Sequence, residues 1–200
     1  DFVQQALVAG AILGLLAAGH VVHLLGGRRT IAVTLALCAG GLVVMGVGAT
    51  VLVSFPVVIA GMVIYGVGTA VCDVAMNVEG ASVEKVLGKT LMPLFHASWS
   101  AGTVVGTSLG TVAAFAGVDP AVHFTVVALI LIVGAVFAPR PVPRFPVHAD
   151  TGEEMPKASF RERMAIWLEP RTLIIGLIAL GMAFTEGSAN DWLAIGMVDD

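Results

Sequence analysis

Six stretches of mostly apolar residues, each broken from the next by glycine, proline or charge, constrain this chain more than any other feature. A hydrocarbon core about 30 Å thick is crossed by about 20 residues of α-helix. The runs Phe2 to Leu25, Thr30 to Val51, Pro56 to Val78, Leu91 to Phe115, Pro120 to Ala138 and Thr172 to Leu193 all approach or exceed that length. Lipid offers no hydrogen-bond partner to an exposed peptide group, so such runs become helices or close into a barrel, and the alternation of barrel strands is absent. The expected fold class is all-α, a polytopic helical membrane protein.

Composition agrees: charged residues make up 12% of the chain, against about 25% in soluble domains, too few to cover a water-exposed surface. The net charge of -4 says little about partners in such a protein, because placement of charge matters more than its sum, and nothing supports nucleic-acid binding. Cys38 and Cys72 both lie in apolar runs, where cysteine behaves as a small hydrophobe; neither a disulfide framework nor a zinc site is implied. The first run lacks the basic flank and small-residue cleavage site of a signal peptide and reads as a span.

Turn residues set the connections. Gly26, Gly27, Arg28 and Arg29 close the first gap, Ser54, Phe55 and Pro56 the second, and Gly117 through Pro120 the fourth, which predicts tight helical hairpins. All ten Lys and Arg fall in alternate gaps, while the opposite gaps carry Asp119 and the terminal Asp199 and Asp200. By the positive-inside rule the basic loops are cytoplasmic. Residues 139 to 171 hold six prolines and most of the charge and read as a linker. The expected division is a bundle over residues 1–139, a cytoplasmic linker over 140–171 and the start of a second bundle over 172–200. Ser159 and Glu162 form a capping-box pattern, and Phe160, Met164, Trp167 and Leu168 share one face of the helix it would start, an amphipathic helix on the membrane surface or else a charged tether.

Polar residues inside spans are the candidates for function. Asp73 lies near the cytoplasmic end of the third run, with Tyr65, Thr69 and Asn77 at four-residue steps along the same helical face. An ionisable group at the centre of a span costs about 2.5–3.5 kcal/mol on insertion scales and usually faces the bundle interior. A carboxyl serving packing alone would look the same in sequence. In the fourth run His96, Ser100, Thr103 and Thr107 form a second stripe, putting His96 and Asp73 at similar depth on consecutive helices. A carboxyl and an imidazole in contact could exchange a proton near neutral pH; a histidine satisfied by a backbone carbonyl is the alternative. The last run carries Glu186 and Asn190 on one face, suited to a substrate or proton or to an outer vestibule, with Trp192 as an interfacial anchor. His20 and His23 have a metal-pair spacing but no third ligand nearby. Small residues at Ala6, Gly10, Gly14 and Ala18, and at Gly102, Gly106 and Gly110, predict close helix packing.

Gly19-His-Val-Val-His23-Leu-Leu-Gly26-Gly-Arg28-Arg29 resembles the loop signature of the major facilitator superfamily. His23 stands at its usual Asp and Leu24 at its usual Arg, while the turn glycine and basic pair are kept. Cys72-Asp73-Val-Ala-Met-Asn77 and Phe95-His96-Ala-Ser98-Trp-Ser100 look like the fucose-permease branch, and the pairs Glu186-Gly187 and Asp191-Trp192 like its seventh helix. The resemblance implies helices two to seven of twelve, in a bacterial inner-membrane permease, with the linker joining two six-helix halves and the complete protein monomeric.

It further implies secondary active transport of a small solute, a sugar or another metabolite, by alternating access, with a proton as coupling ion and no cofactor. Asp73, His96 and Glu186 are then proton-coupling candidates; Tyr65, Thr69, Asn77, Ser100, Thr103 and Asn190 are candidates for substrate; and Gly19, His23, Gly26, Arg28 and Arg29 form the cytoplasmic loop motif. No metal-ligand cluster or nucleophile with a base points to an enzyme. A receptor or scaffold on the same fold is the rival reading.

Overall fold

The computed structural model describes residues 2–138, 140, 165 and 168–196, with side chains described only as far as residue 185 in the last helix. Its helices are α1 (Phe2–Leu25), α2 (Gly27–Gly46), α3 (Phe55–Leu87), α4 (Met92–Phe115), α5 (Pro120–Phe137) and α6 (Pro170–Gly196). No strand occurs among the described residues, as expected for an all-α chain. The chain divides into two units, Asp1–Ala149 with α1 to α5 and Asp150–Asp200 with α6. The surface helix expected between Ser159 and Leu168 lies outside the described residues.

Each boundary has a local cause. A single residue, Gly26, separates α1 from α2; its φ of 73° is one that glycine adopts without a Cβ clash, and α2 therefore begins three residues before the expected Thr30. The far end of α2 continues into a π-helical turn, Val47–Val51, where Leu52 N–H reaches the carbonyl of Val47 at 2.9 Å. Proline in the first turn opens α3, α4 and α5, where its missing N–H has no intrahelical partner to lose. The Asp119 carboxylate caps α5, accepting from Ala121 N–H at 2.7 Å.

The third helix outruns its expected span by nine residues, ending at Leu87 rather than Val78. Nothing between Val78 and Leu87 breaks a helix, and the stop comes at Gly88, left-handed with φ 61°. Its 33 residues amount to about 50 Å at 1.5 Å per residue, so one end extends past the hydrocarbon core. By length and composition α1, α2 with its π turn, α3 and α5 can each cross a membrane. The other two expected spans differ: α4 has 24 residues but is enriched in Ser, Thr and Gly, and the described apolar part of α6 is Pro170–Thr185.

In the first unit α3 packs against both α1 and α2, and α2 packs against α5. The α1–α3 seam is the predicted small-residue stripe: Ala6, Gly10, Gly14 and Ala18 are buried, and a Cβ on Gly10 would lie 2.3 Å from the Val63 carbonyl oxygen. Two apolar clusters hold the rest, one around Val22, Ile31, Cys72 and Ala75, the other around Ala39, Leu42, Met45 and Ala128. The fourth helix is different. None of its residues is buried; a Cβ on Gly102 or Gly106 would meet nothing within 4 Å among the described residues, and one on Gly110 would meet only His123 Nε2, at 4.0 Å, so the close packing expected for that stripe is not made among the described residues.

Candidate functional site

Antiparallel succession from α1 to α5 gathers the basic residues Arg28, Arg29, Lys85, Lys89 and Arg140 at one end of the first unit. Arg140 lies over the Phe137 ring, 4.4 Å from its centroid. Toward that end is an open-sided cavity of about 480 Å³ between the later turns of α3 and the first turns of α4, bordered also by Ile31 and Ala138. Its volume falls in the range of about 300–1,000 Å³ typical of small-molecule sites.

From α3 the cavity receives Asp73, Asn77 and Glu79, and from α4 it receives His96, Ser98 and Trp99. Asn77, one turn beyond Asp73, donates from Nδ2 to the Asp73 carbonyl at 2.9 Å and to its Oδ1 at 3.1 Å. The amide thus fixes the carboxylate on its own helix. His96 lines the same cavity, but the hydrogen bond described for the Asp73 carboxylate comes from Asn77 and not from the imidazole. The structure brings Asp73, Asn77 and His96 to one cavity, without joining acid and imidazole by the expected direct contact.

Four other candidates do not reach the cavity. Tyr65 packs against the α2–α5 cluster, and Thr69 donates its hydroxyl back to the carbonyls of Tyr65 and Gly66 at 3.1 and 3.0 Å. A helix turns about 100° per residue, so each four-residue step overshoots a full turn by about 40°, and Tyr65 and Asn77 end about 120° apart. Ser100 and Thr103 stand only about 40° and 20° around α4 from His96, but they lie further along the helix than Trp99, the last α4 residue to line the cavity; their hydroxyls go to His96 O and Trp99 O at 3.2 and 3.1 Å. Both serve α4 itself. The side chains of Glu186 and Asn190 lie outside the described residues.

The loop motif has a structural partner that spacing alone did not reveal. Glu79 projects against Gly27 so closely that a Cβ there would lie 2.0 Å from its Oε1, and the Gly27 N–H donates to that carboxylate. The acid sits at the positive end of the α2 dipole. Its other oxygen, Oε2, is buried and has no hydrogen-bond partner among the described residues. Gly26 supplies the turn and Gly27 the space, while a Cβ at Gly19 would meet nothing within 4 Å. Glu84 acts similarly one loop on, its Oε1 accepting from the N–H groups of Leu91 and Met92 at the start of α4. In sequence, Glu79 was visible only as an acid two residues past Asn77.

Comparison with known proteins places these features. The Major Facilitator Superfamily profile matches residues 4–195. An uncharacterised transporter from Sinorhizobium fredii is 32% identical over 127 residues, covering 64% of this chain and 32% of that protein. An uncharacterised MFS-type transporter from Yersinia pestis is 26% identical over 127 residues, covering 62% of this chain and 30% of that protein. No solved structure matches the chain. The matched region thus spans about a third of the length of these curated relatives. With apolar helices able to cross a bilayer and a family match over nearly its whole length, the chain belongs to the major facilitator superfamily of integral membrane transporters.

Proposed function

We propose that this chain forms part of a proton-coupled secondary active transporter of the fucose-permease-like branch, moving a small solute across a bacterial inner membrane by alternating access with its basic loops cytoplasmic. The observation that carries the reading is Asp73: an ionisable side chain on a membrane-spanning helix, tied to Asn77 and lining one cavity with His96. Such a group is costly in a membrane and is kept where it serves a path. The family and the transporter names of both relatives support movement of a solute. Proton binding at Asp73 changes the charge of the cavity by one unit, which biases two helical bundles between states open to either side. The contribution of Glu186 and Asn190 belongs to the same proposal, from the helix that would begin the second bundle.

The test is proton movement in proteoliposomes holding the full-length protein, challenged with a panel of small solutes, with Asp73→Asn beside the parent. A solute-dependent pH change that the variant loses supports coupling through Asp73. A pH change that survives the substitution removes Asp73 from the coupling path. Normal membrane insertion with no solute-linked pH change in the parent favours a receptor or scaffold.

A further inference from the structure

The corner between α2 and α3, at the end of the first unit opposite the basic residues, holds one residue more than an ordinary helix end. An α-helix that closes on a left-handed residue uses bonds that reach back four residues along the helix and five across the cap. Here Leu52 N–H reaches back five, to the Val47 carbonyl at 2.9 Å, and Ser54 N–H reaches back six, to the Gly48 carbonyl at 2.8 Å. Both spans are longer by one, so a single extra residue is carried in the π-helical turn Val47–Val51, a winding that is rare and occurs mostly as such one-turn bulges.

The turn also puts an unfavourable backbone on the residue after it. Val53, in the left-handed place that glycine usually takes at a helix end, has φ 46°, which a β-branched residue rarely adopts. Its side chain is 81% exposed, so packing among the described residues does not hold it there; the Ser54 bond to Gly48 does. One rearrangement relieves both features. If each donor steps back by one residue, Val51 N–H bonds to Val47 and Val53 N–H to Gly48, and both spans become ordinary. The left-handed place passes to the unbranched Leu52, and the extra residue moves into the connection before Ser54. Both acceptors stay where they are, and α2 and α3 keep their own hydrogen bonds. The connection gains up to about 3.5 Å of reach. This bears on α3 directly, because its first turn rests on Gly48: a Cβ there would stand 2.9 Å from Val58 N and 3.0 Å from Val57 Cγ1.

We propose that this corner is a one-residue register switch: the strained π register holds the first turn of α3 against Gly48, and the α register releases it on a longer connection. The switch is independent of any solute and of proton coupling. It lets α2 and α3 part at this end while they stay packed further along, where Gly41 meets the backbone of Tyr65 and Gly61 that of Met45.

The test is pulsed electron–electron double resonance on the full-length protein in detergent, with its other cysteines replaced and nitroxide labels on Val51→Cys and Phe2→Cys, both exposed and at this end of α2 and α1. One residue of register turns Val51 about 100° around α2, which gives each register its own distance. Val53→Gly favours the register in which residue 53 is left-handed, and Leu52→Gly the one in which residue 52 is. The two substitutions are expected to move the ratio of the two distances in opposite directions, each by at least threefold. Deleting Ala49 removes the extra residue and gives both present bonds ordinary spans, so it is expected to leave the π-register distance alone. A rigid, merely strained corner gives one distance throughout. The proposal is overturned if the two glycine variants shift the distances the same way or not at all, or if two distances survive the deletion. Should the deletion variant fail to insert, the opposed shifts of the glycine variants still decide.

Discussion

At the scale of single residues, Glu79 and Gly27 form the sharpest contact of the first unit. Gly27→Ala puts a methyl where the carboxylate now sits, so the acid must leave the α2 N-terminus. Loss of a cap costs about 1 kcal/mol, and Glu79→Ala should cost a similar amount. The two losses should not add, because either alone removes the same interaction. Thermal unfolding of the four members of this cycle, purified in detergent, checks it: additive shifts would mean that the acid does not cap α2. Thr69→Val makes the opposite prediction. Among the described residues its hydroxyl bonds only to its own helix, so the change should alter stability by less than about 0.5 kcal/mol and leave solute uptake at the parent level. Much of the site was readable at this scale, since Asp73, Asn77 and His96 announce themselves as polar groups in apolar runs. What misled was treating four-residue steps as one face over several turns. What stayed hidden was Glu79, whose importance arises from a glycine some fifty residues earlier in the chain.

At the scale of elements, two glycine stripes of equal spacing have different consequences. On α1 the stripe is a seam: Gly10 faces the backbone of Val63, and Gly66 on α3 faces the backbone of Leu7. Backbone cannot rotate away as a side chain can, so Gly10→Ala must push the helices apart, at a cost of about 1–3 kcal/mol typical of overpacking. On α4, Gly106→Ala meets nothing in the described chain and should be neutral or stabilise this 200-residue chain by up to about 1 kcal/mol through helix propensity. Paired unfolding measurements in detergent test both, and equal losses at the two positions would contradict the seam. The helices themselves were legible almost to the residue at α1, α4 and α5, because apolar length and a turn proline or glycine mark both ends. The end of α3 was not, since the bilayer criterion measures where a helix leaves lipid and not where its hydrogen bonding stops. A helix entering the headgroup region simply continues until a residue such as Gly88 ends it.

At the scale of the whole molecule, charge placement makes a prediction that neither residue nor element can. Lys89 lies in the connection before α4 and Val118 in the one after it, and both are exposed. Twenty-four helical residues set them about 36 Å apart, enough to put them on opposite sides of a hydrocarbon core about 30 Å thick. The Lys89 side carries Arg28, Arg29, Lys85 and Arg140, and the Val118 side carries Asp119, so the positive-inside rule assigns the first to the cytoplasm. Within these 200 residues native background should be low, because Cys38 and Cys72 are only 3% and 5% exposed. In intact cells producing the full-length protein, a membrane-impermeant maleimide should label Val118→Cys and spare Lys89→Cys until the membrane is opened. Labelling of Lys89→Cys in intact cells would reverse the orientation. It would also place the cavity, which lies toward the basic end, on the outer side, where proton binding at Asp73 would follow external rather than cytoplasmic pH.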